Sequence, residues 1–356
     1  MSKEESKMKD CRYYQIAGIT IRVETDFPIT ENTFDHKFRI FQVDGPGDDT
    51  ITIRHHSYLL DLDGQDLGKE VYRRAPWIIY KREDSWLYLC TSGAHKKRVT
   101  RMGVFNYDHT EGETYSLGKG EARTYDLLAI TRFPSDQVVF ARLLAHKDGC
   151  YIHSSGVSLE GKGFLFVGHS DAGKSTMVTL LKDKAKILCD DRIIVRRWPD
   201  GFKIHGTWSH GDISEVSPDS APLRAIMFLE QARANRLIPL DDRKEIIRRL
   251  LACLIKPLAT ADWWEKMLAL IESISHEVPC YILQFDRSGQ VLDFSQFTRF
   301  VHLFDEQIFT TVNNRFGHHV FEPGLLHLFN DLTTLFDRRR HRDGTHHVLA
   351  RIQRFE

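Results

Sequence analysis

At 356 residues, 42% of them apolar and 11% aromatic, the chain can fill the cores of two domains or one large one. Lysine plus arginine and aspartate plus glutamate each number 49, so the formal charge is zero and no general attraction to nucleic acid or anionic lipid is expected. No apolar run approaches the roughly 20 residues needed to cross a bilayer, and the start, MSKEESKMKDCRYY, lacks the apolar stretch of a secretory signal. The expectation is a cytoplasmic protein with no membrane and no nucleic-acid partner.

Residues 1–125 read as a β-rich N-terminal domain. YYQIAGITIRVET, FRIFQV, DTITIRHHSYLL and PWIIYKREDSWLYLCTSG are β-like runs broken by Gly, Asp and Pro, which predicts a mostly antiparallel sheet. No chemical motif stands out in this half. The cysteines Cys11, Cys90, Cys150, Cys189, Cys253 and Cys280 are scattered without a CxxC pair, so they are expected to be reduced and mostly buried. Histidine pairs occur at His55/His56, His318/His319 and His346/His347, but with no HExxH pattern they read as ordinary surface histidines rather than metal ligands.

The segment 133–149, FPSDQVVFARLLAHKDG, has helical spacing, with Ser135 or Asp136 as cap and Gly149 as stop. CYIHSSGVSLEGKGFLFVG follows as two β runs around the turn EGKG, and the second leads straight into Gly168. Met177, Leu180 and Leu181 then suit a helix over 174–184, and KILCDD a strand. IIVRRW, GFKIHGTW and PLRAIMFLEQ read as further strands. Asp241 and Asp242 head a helix striped by Ile246, Ile247, Leu250, Leu251 and Leu254; DWWEKMLALIESISH reads as a second helix and VPCYILQF as a closing strand. Residues 292–356 carry the helix-like GLLHLFNDLTTLFDRRRHR, whose basic end reads as a solvated helix terminus.

The chemistry concentrates in Gly168-His169-Ser170-Asp171-Ala172-Gly173-Lys174-Ser175-Thr176, which satisfies GxxxxGK[ST] between a strand and a helix. Glycines let the backbone turn its N–H groups on phosphate oxygens, the helix N-terminus adds its dipole, Lys174 neutralises charge, and Ser175 can ligate Mg²⁺. The competing reading is a coincidental turn. Asp190 and Asp191 lie 16 and 17 residues beyond Lys174, at the end of the very next strand. One carboxylate can organise Mg²⁺ and the other accept the proton of an attacking hydroxyl, unless the pair merely marks a turn. No LSGGQ-like segment and no NKxD is present.

YIHSSGVSLEGKGFLFVGHSDAGKST followed by ILCDDRIIV resembles the catalytic core of the HPr kinase/phosphorylase superfamily, itself related in fold to the ATP-dependent phosphoenolpyruvate carboxykinases. The likeness covers about 140 to 200 well and continues more weakly to about 290. It implies an α/β fold, a P-loop kinase core with a mixed sheet over 126–291, between the β-rich domain and a C-terminal helical extension over 292–356. It further implies ATP and Mg²⁺ as cofactors, Lys174 and Ser175 as phosphate and Mg²⁺ ligands, Asp190 and Asp191 as the carboxylates of hydroxyl activation and metal binding, and His153 close to the γ-phosphate. By residue type alone His153 reads first as a satisfied core histidine inside a β run, and it is the resemblance that brings in the phosphate-contacting reading.

The match departs at Asp171, where relatives usually have glycine, and at IHGTWSHGDIS, which replaces the glycine-rich, arginine-containing segment of the bifunctional enzymes. Phosphorolysis is therefore not implied. The expected activity is a Mg²⁺-dependent transfer of the γ-phosphate of ATP to a hydroxyl, a serine of a protein, peptide or small molecule. Ser175 and Asp191 would hold the metal and Asp190 would act on the acceptor. Relatives often form homo-oligomers in which a neighbour shapes the acceptor site. The alternative is a non-catalytic ATP-binding regulator that docks a partner on its β-rich half. A carboxykinase would need a metal-binding lysine and histidine set, which the sequence does not display.

Overall fold

The Ala17–Gly18 turn has φ of 52° and 75° at its two residues, the left-handed pair that a tight two-residue hairpin needs, and it joins β1 (Asp10–Ile16) to β2 (Ile19–Thr25). In this computed structural model residue 8 and residues 10–91, 98–117, 129–130, 136–257 and 260–286 are described. The described residues all fall within one unit, 1–291. The expected C-terminal helix, the pairs His318/His319 and His346/His347 and the boundary near 125 all lie outside the described residues.

The first sheet continues with β3 (Gln42–Val43), β4 (Thr50–His56), β5 (Lys69–Arg74), β6 (Trp77–Lys81), β7 (Ser85–Thr91), β8 (Val99–Asn106) and β9 (Glu111–Ser116). Its order is β3-β1-β2-β4-β9-β8-β7-β6-β5. Pairing is antiparallel except around β4, which runs parallel to both β2 and β9.

Two expectations fail here. FRIFQV is not a strand: His36–Phe41 is a 3-10 helix capped by Asp35, and only Gln42–Val43 pairs with β1. Phe38 and Phe41 are three residues apart, which the three-residue turn places on one side, where both are buried. His55 and His56 are not surface residues either: β4 is an interior strand, His55 lies on its core face with Ile51 and Ile53, and His56 is buried against Tyr115. The His55 ring instead meets Thr114 Oγ1 and, at 2.8 Å, the carbonyl of Ile130.

The second part comprises α1 (Asp136–Ala145), β10 (Gly149–Leu159), β11 (Lys162–Val167), α2 (Lys174–Leu181), β12 (Lys186–Cys189), β13 (Arg192–Trp198), β14 (Gly201–His205), β15 (Ser220–Gln231), β16 (Arg236–Pro239), α3 (Arg243–Cys253), α4 (Ala261–Glu277) and β17 (Cys280–Phe285). Gly149 opens β10 rather than ending α1; the helix stops at Ala145 and a turn over 146–148 intervenes. The sheet runs β11-β10-β13-β14-β15-β17-β16, with β12 on β10 and an added parallel pairing of β11 on β15. Strand β10 is shared: residues 149–153 pair with β13, and residues 154–159 lie between β11 and β12. Since β10 opposes both β11 and β12, those two run the same way, joined across β10 by α2.

The protein is thus mixed α/β, two mixed sheets with few helices. One core cluster joins residues of both parts, including Tyr14, Ile21, Phe38 and Phe41 with Phe140, Leu144, Tyr151, Ile194 and Trp208. Five cysteines are buried thiols, and Cys11 is exposed. Among the described residues no helix is long and apolar enough to cross a membrane.

Candidate functional site

Residues 168–173 turn the chain from β11 into α2 by geometry that only some residues permit. Ala172 N donates to His169 O at 3.1 Å, closing a turn with Ser170 and Asp171 at its centre. Asp171 has φ of 66°, a left-handed conformation that aspartate tolerates better than most side chains. That is the physical reason a glycine suits this position. Its carbonyl accepts from Gln231 Nε2 at 2.7 Å, and the residue is exposed. Gly173 has φ of 101°, and a Cβ there would stand 2.3 Å from the Phe285 ring. No side chain caps the α2 N-terminus, and His169, Ser170 and Thr176 are all exposed around it.

Lys174 is 7% exposed, and its ammonium donates to the carbonyls of Gly168 and His169, each at 3.0 Å. Burial pulls it below its ordinary pKa, opposed by Cys253, Asp191, Asp171 and Asp190. The His169 imidazole is lowered too, by partial burial and then by its neighbours Lys174, His153, Arg248 and Arg249.

The two adjacent aspartates face different partners. Asp190, 2% exposed, accepts from Gly211 N at 2.6 Å and Ile213 N at 2.9 Å, and its Oδ2 lies 3.4 Å from Ser175 Oγ. Asp191 pairs with His153 Nε2 at 3.1 Å and with Arg192 Nη1 at 2.7 Å. Burial raises the Asp191 carboxyl, but His153, Arg192 and Lys174 outweigh it and hold the group below the usual carboxylate range. Strand register makes this pair: His153 on β10 stands opposite Arg192 on β13, and Ser154 N donates to Asp191 O at 3.0 Å.

The structure therefore brings Lys174, Ser175, Asp190, Asp191 and His153 to one place, but it joins Ser175 to Asp190 rather than to Asp191. Sequence reasoning passed over Arg192, and it noted the segment holding Gly211 and Ile213 only as a departure from the family, with no role at the site. A cation directly after two acids was a usable signal for the first. The amides had none, because a backbone N–H carries no residue signature.

Ser175 Oγ and Asp190 Oδ2 form a hard oxygen donor pair that suits Mg²⁺. Among the described residues no cluster of three His, Cys, Asp or Glu suited to a metal occurs, so such an ion would take its remaining ligands from phosphate and water.

A family described as "SynChlorMet cassette protein ScmC" matches residues 122–296. No curated protein matches the chain. A solved structure, the Hpr(Ser) kinase/phosphatase from Coxiella burnetii, is similar at 10% identity over 46% of this chain and 99% of that one, with a TM-score of 0.29. That overlap is too loose to carry a functional argument.

Proposed function

We propose that residues 168–176 bind a Mg²⁺-nucleotide and that the chain transfers its terminal phosphate to a hydroxyl, with a serine of a protein, peptide or small molecule as acceptor. The observation that carries this reading is the division of the carboxylate pair: Asp190 sits beside Ser175 on the loop side, and Asp191 sits beside His153. That supports a P-loop kinase core with the two aspartates in roles opposite to those the sequence suggested.

In this reading Asp190, held by two amides, keeps the Ser175 hydroxyl oriented, and these two would hold Mg²⁺. The ion supplies charge neutralisation for the phosphates. Lys174 leaves the two loop carbonyls for phosphate oxygens, whose negative charge is a better partner for an ammonium. Asp191 accepts the acceptor hydroxyl's proton as the oxygen bonds to phosphorus and the bond to the leaving diphosphate oxygen breaks. His153 orients Asp191 and keeps it ionised.

A second reading, an ATP-binding regulator, draws on Asp191 being paired on both oxygens. Incubation with γ-labelled ATP, Mg²⁺ and pools of free serine, peptides and proteins separates the two. Label on an acceptor with wild type and none with Asp191→Asn supports the kinase; tight binding without transfer to any pool supports the regulator.

A further inference from the structure

The loop between β14 and β15 lends the proposed mechanism no side chain, only the two amides that hold Asp190. Its amides at Gly211 and Ile213 donate to the two oxygens of Asp190. The rest of the loop is fastened at several points. Gly206 N donates to Asp219 O and Ser217 N to Leu188 O, each at 3.0 Å. Thr207 Oγ1 donates to Arg192 O at 2.6 Å, and Tyr151 OH donates to Ser209 Oγ at 3.0 Å. A Cβ on Gly206 would lie 1.9 Å from Ser217 O, so the loop's entry tolerates no side chain.

Trp208 is the one large apolar anchor among these fastenings. It is 2% exposed, and its ring meets Phe38 at 5.2 Å, Phe41 at 5.1 Å and Phe140 at 5.5 Å, each edge to face. Phe38 and Phe41 come from the 3-10 helix beside the first sheet, Phe140 from α1. A residue in the loop that grips Asp190 is thus seated in an aromatic cluster built largely by the N-terminal half.

We propose that Trp208 is a positioning residue: seated between Phe38, Phe41 and Phe140, it holds residues 209–213 where the Gly211 and Ile213 amides keep the Asp190 carboxylate facing Ser175. The β-rich half then contributes to the site without touching it. What Asp190 does rests on the proposed function; the positioning itself does not.

Two readouts test this on the full chain. The first is hydrogen exchange at the Gly211 and Ile213 amides, referenced to β11 amides, in wild type, Trp208→Phe, Trp208→Leu and Phe38→Leu. The second is ATP titration with and without Mg²⁺. Trp208→Leu and Phe38→Leu are expected to speed exchange at both amides by at least about tenfold while β11 holds. They also raise the Mg²⁺ concentration needed for tight ATP binding and leave Mg²⁺-free binding unchanged. Trp208→Phe, which keeps an aromatic edge, restores both readouts toward wild type. A purely structural role would loosen all amides together.

Wild-type exchange at Gly211 and Ile213 in folded Trp208→Leu and Phe38→Leu overturns the proposal. If Trp208→Leu does not fold, the milder Phe38→Leu decides. If wild type binds no ATP, the nucleotide reading falls while the exchange result still decides the positioning.

Discussion

His153 Nε2 lies 3.1 Å from Asp191 Oδ1 because β10 pairs with β13 in a register that sets His153 opposite Arg192. The histidine lowers the Asp191 pKa by hydrogen bonding and by charge. Removing it in His153→Gln lets burial raise that carboxyl. The base form is then lost at higher pH as acidity increases, so the acid limb of the transfer rate against pH moves upward. A profile with its acid limb unmoved would separate His153 from Asp191 ionisation.

Lys174 answers a different question, whether the loop binds an anion at all. Lys174→Ala removes the one ammonium buried in the loop and should weaken ATP binding by at least about tenfold, roughly the loss of one charge-assisted contact of 1.5–3 kcal/mol. Calorimetric titration of both proteins measures it. Equal affinities would remove the loop from the nucleotide site.

Gly173 carries both a conformational and a steric demand. Gly173→Ala places a Cβ 2.3 Å from the Phe285 ring at φ of 101°, so the variant should lose about 1–3 kcal/mol of stability. Thermal unfolding reads the loss, and Asp171→Gly, relieving φ of 66° at an exposed position, should be neutral or slightly stabilising.

His205 predicts an acid weakness. Burial, then Arg196 and Lys203, push its imidazole down to about 4, and its Nε2 accepts from Trp198 Nε1 at 3.2 Å. The unfolded chain therefore binds a proton that the folded one refuses between roughly pH 6.5 and 4. Stability is complete above that window and falls as pH drops through it, by an upper bound of about 3 kcal/mol from this group. Burial lowers the His109 imidazole to about 3, which adds in the same direction. Melting temperatures from pH 7.5 down to 5 should decline in wild type and decline less in His205→Gln, which keeps an acceptor for Trp198.

Much of the second half was legible in the sequence because each element there obeys a local rule. The turn at Glu160–Gly161 has φ of 51° and 75°, Asp242 caps α3, and α2 begins at Lys174. The strand, turn and helix around residues 168–176 were legible too, since the phosphate-loop pattern fixes spacing within that short stretch. What stayed hidden is set by pairing across the chain. Only strand register joins His153 to Asp191, and only the loop 206–219 decides which aspartate faces Ser175. FRIFQV misled because its apolar residues fit a strand as well as the short helix that buries Phe38 and Phe41. His55 and His56 misled because burial on an interior strand depends on neighbours distant in sequence.

The most direct measurement compares wild type, Asp190→Asn and Asp191→Asn at saturating ATP and Mg²⁺, following phosphate transfer and ATP affinity together. Asp191→Asn should bind ATP as wild type does and lose transfer by at least about 100-fold, the scale of a general-base contribution. Asp190→Asn should need more Mg²⁺ for tight binding. Undiminished transfer by Asp191→Asn, or ATP binding unchanged by Mg²⁺ in all three proteins, would contradict the account.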